Sequence, residues 1–271
     1  MRLALAQCGP PPTEDAVEGS VAAVADAVAR AGDQGAELVA TSELVIGGYR
    51  TDLILRGDLP TVLQGPDDPR LDPVREAVRR AATTALVGAA VAGPDGTLNA
   101  LLRVNPDGDV DVVHAKVHLW AEERRVFVPG PGPVVLEHAG LRIGLGICYD
   151  AAFPEYCRSL ARDAHLLLFA SAFAVGEEER RHTIYHPSRA LESGVHVAVV
   201  NAVGEQGGAT FFGRSQLIDP WGRRSVVAGD TPTVVVGDVD PEACRAARDE
   251  LPYLQDLQPH YRPSTVGRNP S

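Results

Sequence analysis

The sequence predicts an α/β protein, a mixed β-sheet covered by helices and built as one domain over residues 1–271. Three observations lead there. Short apolar runs, several of them β-branched, alternate along the chain with stretches of helical periodicity. Turn signals at Asn105-Pro106-Asp107-Gly108 and Asp219-Pro220-Trp221-Gly222 put hairpins among those units, which makes the sheet mixed. No linker, composition break, fixed-period repeat or low-complexity segment divides the chain.

Taken in order, Leu3 to Cys8 is a strand, and the Pro10-Pro11-Pro12 turn leads to an amphipathic Ala/Val helix from Glu14 to Ala31. Leu38-Val39-Ala40 is a second strand that stops at Thr41-Ser42-Glu43. Arg75 to Ala82 has helical spacing, and Ala85 to Ala92 is a buried strand closed by Gly93-Pro94-Asp95-Gly96. Leu98 to Val104 and Val110 to Ala115 pair across the Asn105–Gly108 turn. The centre repeats the grammar: strand Leu141 to Ile147, helix Pro154 to Arg162, strand Leu166 to Phe169, helix Tyr185 to Ser193, strand Val195 to Val200. Ser215 to Ile218 and Thr233 to Val239 are late strands. The Pro-rich, polar stretch 251–271 is expected to lie extended along a surface.

Composition narrows the function classes. Hydrophobic content of 45% with 23% charged residues is that of a soluble globular protein. A net charge of −11 offers no cationic footprint for nucleic acid. The apolar part of Met1–Gln7 is too short for a signal peptide, and no run of about 18 apolar residues occurs, so no membrane partner is expected. Cys8, Cys148, Cys157 and Cys244 lack C-x-x-C spacing and suggest neither a disulfide framework nor a zinc site. A reducing cytoplasm is the expected location.

Cys148 ends the buried run Gly144-Leu145-Gly146-Ile147, at the rim of a sheet where α/β proteins place ligands. The helix beginning at Phe153-Pro154 would lower its thiol pKa through N-terminal N–H groups. Taken alone, Cys148 reads more readily as a packing residue. A nucleophile needs a base and an oxyanion donor, and no histidine stands in a papain-like or caspase-like pattern. His182 and His186 have i, i+4 spacing, but the glutamate of H-E-x-x-H is missing and Pro187 follows, which favours packing at a helix start. Glu43 and Lys116 each end an apolar strand. Alone, each reads as a solvated strand cap. Together with Cys148 they put a carboxylate, a cation and a thiol on three strand ends.

At this point the sequence resembles a known family. Glu43-Leu44 with Gly48-Tyr49, then Lys116-Val117-His118-Leu119-Trp120 with Glu123, Phe127 and Pro129-Gly130, then Gly146-Ile147-Cys148-Tyr149-Asp150 with Phe153-Pro154-Glu155, resemble three catalytic blocks of the nitrilase superfamily of carbon–nitrogen hydrolases. Arg189-Ala190 with Glu192, Asn201, Phe212-Gly213 and Asp219-Pro220 resemble later blocks in the same order. The resemblance implies a four-layer αββα sandwich that pairs into a homodimer. It implies Glu43 as general base, Lys116 as oxyanion stabiliser and Cys148 as nucleophile. Glu123 would position Lys116, and the backbone N–H of Tyr149 would complete the oxyanion hole. Ala172, Phe173 and Arg189 are the expected substrate contacts, and neither metal nor organic cofactor is required.

Cys148-Tyr149-Asp150 resembles the amidase side of the superfamily, near ω-amidase and deaminated-glutathione amidase, rather than the Cys-Trp-Glu of nitrilases. The expected reaction is hydrolysis of a small linear amide through a thioester. Ala151-Ala152 replace larger or charged residues of that branch and point to a smaller or more apolar acyl group. The run Glu177-Glu178-Glu179-Arg180-Arg181 is expected as a solvated helix face. N-carbamoyl amides, a soluble acyltransferase and a non-catalytic binding module stay open as alternatives. Acceptor dependence would mark the second, and indifference to Cys148→Ala the third.

Overall fold

The computed structural model describes residues 1–9, 16–57 and 61–258. Strands β1 (Arg2–Gln7), β2 (Leu38–Thr41), β3 (Thr84–Gly93), β4 (Gly96–Val104) and β5 (Val110–Ala115) lie side by side in one sheet. A second sheet contains β6 (Val134–His138), β7 (Leu141–Ile147), β8 (Leu166–Ser171) and β9 (His196–Asn201). β10 (Val203–Gln206) and β11 (Ala209–Phe212) form a separate hairpin. β12 (Gln216–Ile218) and β13 (Arg224–Val227) extend the second sheet, and β14 (Thr233–Asp238) returns to pair with β1 in the first. Each sheet has a parallel centre, β1-β2-β3 or β7-β8-β9, flanked by antiparallel strands.

The helices are α1 (Ala16–Asp33), α2 (Thr51–Leu55), α3 (Asp72–Ala81), α4 (Pro154–Ala161), α5 (Glu177–Leu191), α6 (Pro241–Glu250) and α7 (Tyr253–Asp256). The period of two along the strands sorts side chains into layers. Leu3 and Leu5 of β1 face Leu145, Leu166 and Leu168 of the other sheet, while Ala4 and Ala6 face Val21, Val24 and Val28 of α1. On the far side, Leu167 and Phe169 of β8 pack against Leu160 of α4 and Ala190 of α5. The layers are helix, sheet, sheet, helix, the αββα sandwich. Each fully buried leucine of the inter-sheet layer contributes about 2–3 kcal/mol relative to exposure.

Several predicted elements change. The helix expected from Glu14 is described from Ala16. The expected helix Tyr185–Ser193 is instead Glu177–Leu191 and carries Pro187 inside it, so His182 and His186 sit in the helix interior rather than at its start. Of the tail expected to be extended, 259–271 lies outside the described residues, and Tyr253–Asp256 is a short helix. Strands β6, β10, β11 and β13 and helix α6 were not anticipated. Among the described residues no helix is long and apolar enough to cross a membrane.

Candidate active site

The strand ends that carried polar residues in the sequence converge at one rim of the sandwich. Glu43 follows β2 through a sharp turn in which Leu44 has φ +48°. Gly88 of β3 makes that turn possible, because a Cβ there would lie 2.2 Å from the Ser42 carbonyl oxygen. Lys116 follows β5, and its N–H donates to the Asn99 carbonyl at 2.8 Å. Gly130 passes so close that its Cβ would lie 2.1 Å from the Ala115 oxygen.

Lys116 Nζ donates to Glu43 Oε1 at 2.6 Å and to Glu123 Oε1 at 2.8 Å. All three residues are almost fully buried. Asn99 Nδ2 donates to the same Glu43 oxygen at 2.7 Å, whereas Glu43 Oε2 has no partner among the described residues. The Tyr49 hydroxyl donates to Glu123 Oε1 at 2.5 Å, and the Trp120 N–H donates to Oε2 at 2.7 Å. Asn99 and the Tyr49 hydroxyl are site groups that strand patterning did not single out.

Burial raises the Glu43 pKa to about 7; the Glu123 charge adds to this, and Lys116 and Asn99 oppose it. Burial alone would lower Lys116, but the Glu43 and Glu123 carboxylates outweigh it and hold the ammonium above its ordinary value. The site therefore keeps a permanent cation beside a carboxylate that titrates near neutrality.

Cys148 directly follows β7 with φ +44°, a left-handed conformation costly for a residue with a Cβ. Two residues earlier, Gly146 leaves room for the Phe169 ring of β8, since a Cβ there would lie 2.6 Å from it. Asp150 ties the turn down: its carboxylate accepts from Ile147 N–H at 3.0 Å, His118 N–H at 2.9 Å and His118 Nδ1 at 2.7 Å. Burial works against that charge, yet the His114 and His118 imidazoles and the backbone donors hold the Asp150 pKa below the usual carboxylate range.

The thiol differs from the sequence expectation. Its pKa is pushed well above the ordinary value, by burial first and by the Glu43 charge second, while Lys116 and the Ala172 N–H pull only partly back. A short 3₁₀ turn, Cys148–Ala152, stands between Cys148 and α4, so the helix N-terminus is not at the sulfur. Cys148 therefore rests as a protonated thiol rather than a thiolate.

A cavity of about 360 Å³ opens over Cys148 and Lys116, with Ala172 and Phe173 in its lining. Asn201 secures that segment, accepting from Phe173 N–H at 2.7 Å and donating to the Phe173 carbonyl at 3.2 Å. Arg189, expected on the substrate, stands behind the turn instead. Its guanidinium donates to the Ala151 carbonyl at 3.1 Å, the Ala152 carbonyl at 3.3 Å and Glu192 Oε1 at 2.9 Å. The fork that would bind a carboxylate is occupied by backbone oxygens. The expected solvated run divides: Glu177 and Arg180 are exposed, and Glu178 and Arg181 line the cavity. Tyr149 also lines the cavity.

An αββα sandwich with a cysteine, two glutamates and a lysine at one rim of its paired sheets defines a class, and the chain belongs to the carbon-nitrogen hydrolase family, which matches residues 2–249. Within the nitrilase superfamily it falls in the amidase-like branch and is an amidase-type enzyme. It is 29% identical to an (R)-stereoselective amidase from Pseudomonas sp. over 77% of this chain and 76% of that one. It is 27% identical to omega-amidase NIT2 of Mus musculus over 84% and 85% of the two chains. The amidase from Nesterenkonia sp. AN1, solved in complex with acrylamide, superposes with a TM-score of 0.81 at 31% identity, covering 95% of this chain and 94% of that one. Another structure of that amidase shows the acetamide moiety of fluoroacetamide added covalently at its active site cysteine.

Proposed function

We propose that this protein hydrolyses a small linear amide through a thioester on Cys148, releasing ammonia or an amine and a carboxylic acid. The observation that carries the reading is Lys116 Nζ bridging Glu43 Oε1 and Glu123 Oε1, at 2.6 and 2.8 Å, beneath the cavity that Cys148 lines. An ammonium has three N–H donors, and two are engaged, so one remains for an incoming carbonyl oxygen. The unpartnered Glu43 Oε2 is the acceptor available for a proton.

In this reading Glu43 removes the thiol proton as Sγ attacks the amide carbon, and a base with a pKa near 7 suits work at neutral pH. Lys116 Nζ and the Tyr149 N–H stabilise the tetrahedral oxyanion, a contribution of about 3–4 kcal/mol per donor. On collapse Glu43 passes its proton to the departing nitrogen, the C–N bond breaks and the thioester remains. Water, deprotonated by Glu43, then adds to the thioester, and the thiolate leaves and regains a proton. Glu123 acts through Lys116, holding it aimed and charged, and Tyr49 acts through Glu123.

Intact-mass spectrometry during turnover of butyramide, with ammonia release followed in parallel, tests the proposal. The expected result is a butyryl adduct on the wild type and neither adduct nor ammonia from Cys148→Ala. Ammonia release undiminished in Cys148→Ala would end it.

A further inference from the structure

The cavity over Cys148 concentrates a residue type that the rest of the chain uses sparingly. Aromatic residues make up 5% of the sequence, yet half of the lining is aromatic: Tyr49, Trp120, Tyr149, Phe153, Phe173 and Tyr185. They come from separate loops and from α5, so no single strand's packing pattern accounts for them. Trp120 meets Tyr149 edge-on at 4.8 Å, and Tyr149 meets Phe153 edge-on at 5.0 Å, which fixes one continuous wall. Tyr49 is braced by Phe211 at 5.7 Å and Phe173 by His182 at 5.4 Å. Of the six, only Phe173 is buried; Tyr49, Tyr149, Phe153 and Tyr185 are half-buried and Trp120 is exposed. Rigid, wetted aromatic surface in a concave site favours a ligand that covers it with a flat apolar group.

Volume sets the size of that group. An apolar cavity of about 150 Å³ accepts a benzene molecule. The 360 Å³ here holds a ring, a short tether and a carboxamide in reach of Cys148. The lining's charged groups at Glu178 and Arg181 are of opposite sign and give no net pull on an acidic acyl group. Glu178 lines the cavity with its Oε2 accepting from the Ala174 N–H at 2.7 Å, and the Arg181 guanidinium is seated over Trp120 at 5.7 Å. Ala152, also in the lining, leaves width where a larger side chain would narrow the site.

We infer that the acyl group is an aryl ring on a one- or two-carbon tether, so that the preferred substrates are primary amides of arylalkanoic acids. This rests on the amidase reading given above and names its substrate class.

The test compares kcat/KM for phenylacetamide and 3-phenylpropionamide with acetamide, butyramide and the monoamide of glutaric acid, in the wild type and in Tyr185→Ala. The aryl amides are expected to exceed acetamide and butyramide by at least about 10-fold, the yield of burying one ring. Tyr185→Ala should shrink that ratio. Turnover of butyramide at or above the aryl rate, or the glutaric monoamide as best substrate, overturns this inference and leaves the amidase reading standing. No ammonia from any of the five, with Cys148 unacylated, removes both.

Discussion

Asn99 donates to Glu43 Oε1 at 2.7 Å, the same oxygen that Lys116 holds at 2.6 Å. Burial raises the Glu43 pKa to about 7, and Asn99 is one of the groups keeping it from rising further. A base must be ionised to take the thiol proton, so kcat/KM should fall on the acid side through about pH 7. A hydrogen bond to a charged group contributes about 1.5 kcal/mol, close to one pKa unit. In Asn99→Leu the acid limb should therefore move up by about one unit, with a smaller loss at the alkaline plateau, and a pH profile of kcat/KM checks this. A limb that stays in place or moves down would count against Glu43 as the base. Cys148, Glu43 and Lys116 each end an apolar run, but alone each reads as packing or a solvated cap, and only their resemblance to three family blocks singled them out together. Asn99 was not singled out, because one polar residue between Leu98 and Ala100 fits the alternation of an ordinary strand. Arg189 could be placed near the site but not aimed, since spacing along a helix does not say whether a guanidinium meets a ligand or a backbone carbonyl.

Most strands and helices α1 and α3 could be read from periodicity as a mixed sheet covered by helices, whereas the division into two sheets was expected only from the family resemblance, because a strand buried on both faces looks the same in either arrangement. The β10–β11 hairpin could not, because each strand has four residues and little apolar alternation. Its one signal was Gly207-Gly208, both with positive φ (+56° and +81°), the two-residue turn that matches strand twist. The hairpin matters to the chemistry through Tyr49. Gln206 Oε1 accepts from the Tyr49 N–H at 3.1 Å, and Phe211 braces the Tyr49 ring. A Cβ on Gly207 would lie 2.1 Å from the Tyr49 carbonyl oxygen, a backbone atom that cannot yield without moving the segment. Gly207→Ala should displace Tyr49 from Glu123 and lower kcat by about 10-fold or more, since small misplacements in a preorganised site are costly. The hairpin contributes little to the main cores, so the thermal midpoint should change by only a few degrees. Steady-state kinetics with a melting curve separates the two, and a large loss of stability with kcat intact would show that the hairpin is structural only.

At the scale of the whole molecule, α5 joins the catalytic cavity to the outer face of the second sheet, and it does so with two histidines buried in its interior. His182 meets Phe212 at 5.1 Å and His186 at 4.8 Å; His186 packs against Phe169 of β8 at 5.8 Å. The Nε2 atoms of both rings lack partners among the described residues. Burial, reinforced by the other ring's charge, depresses His182 far below its ordinary value, and burial lowers His186 to about 4. Ala190 of the same helix lies in the core with Phe169, so α5 cannot detach without opening that layer. Proton uptake by these rings is thus linked to global unfolding. Below the unfolded-state pKa of 6.5 the unfolded chain binds protons that the folded one refuses. The stability the neutral rings contribute is complete above pH 6.5 and is lost as pH falls toward about 4. Each ring accounts for about 2 kcal/mol by pH 5. Glu43, with its raised pKa, acts in the opposite sense between 4.5 and about 7, so the informative quantity is the variant's pH slope minus that of the wild type. Urea midpoints at pH 7.5 and 5.0 should show the wild type losing more stability across the interval than His186→Leu, which keeps a comparable buried volume without the titrating ring. The difference should be about 2 kcal/mol. Equal losses would mean that the histidines already take up protons in the native state and that the layer beneath α5 is wetter than its packing implies.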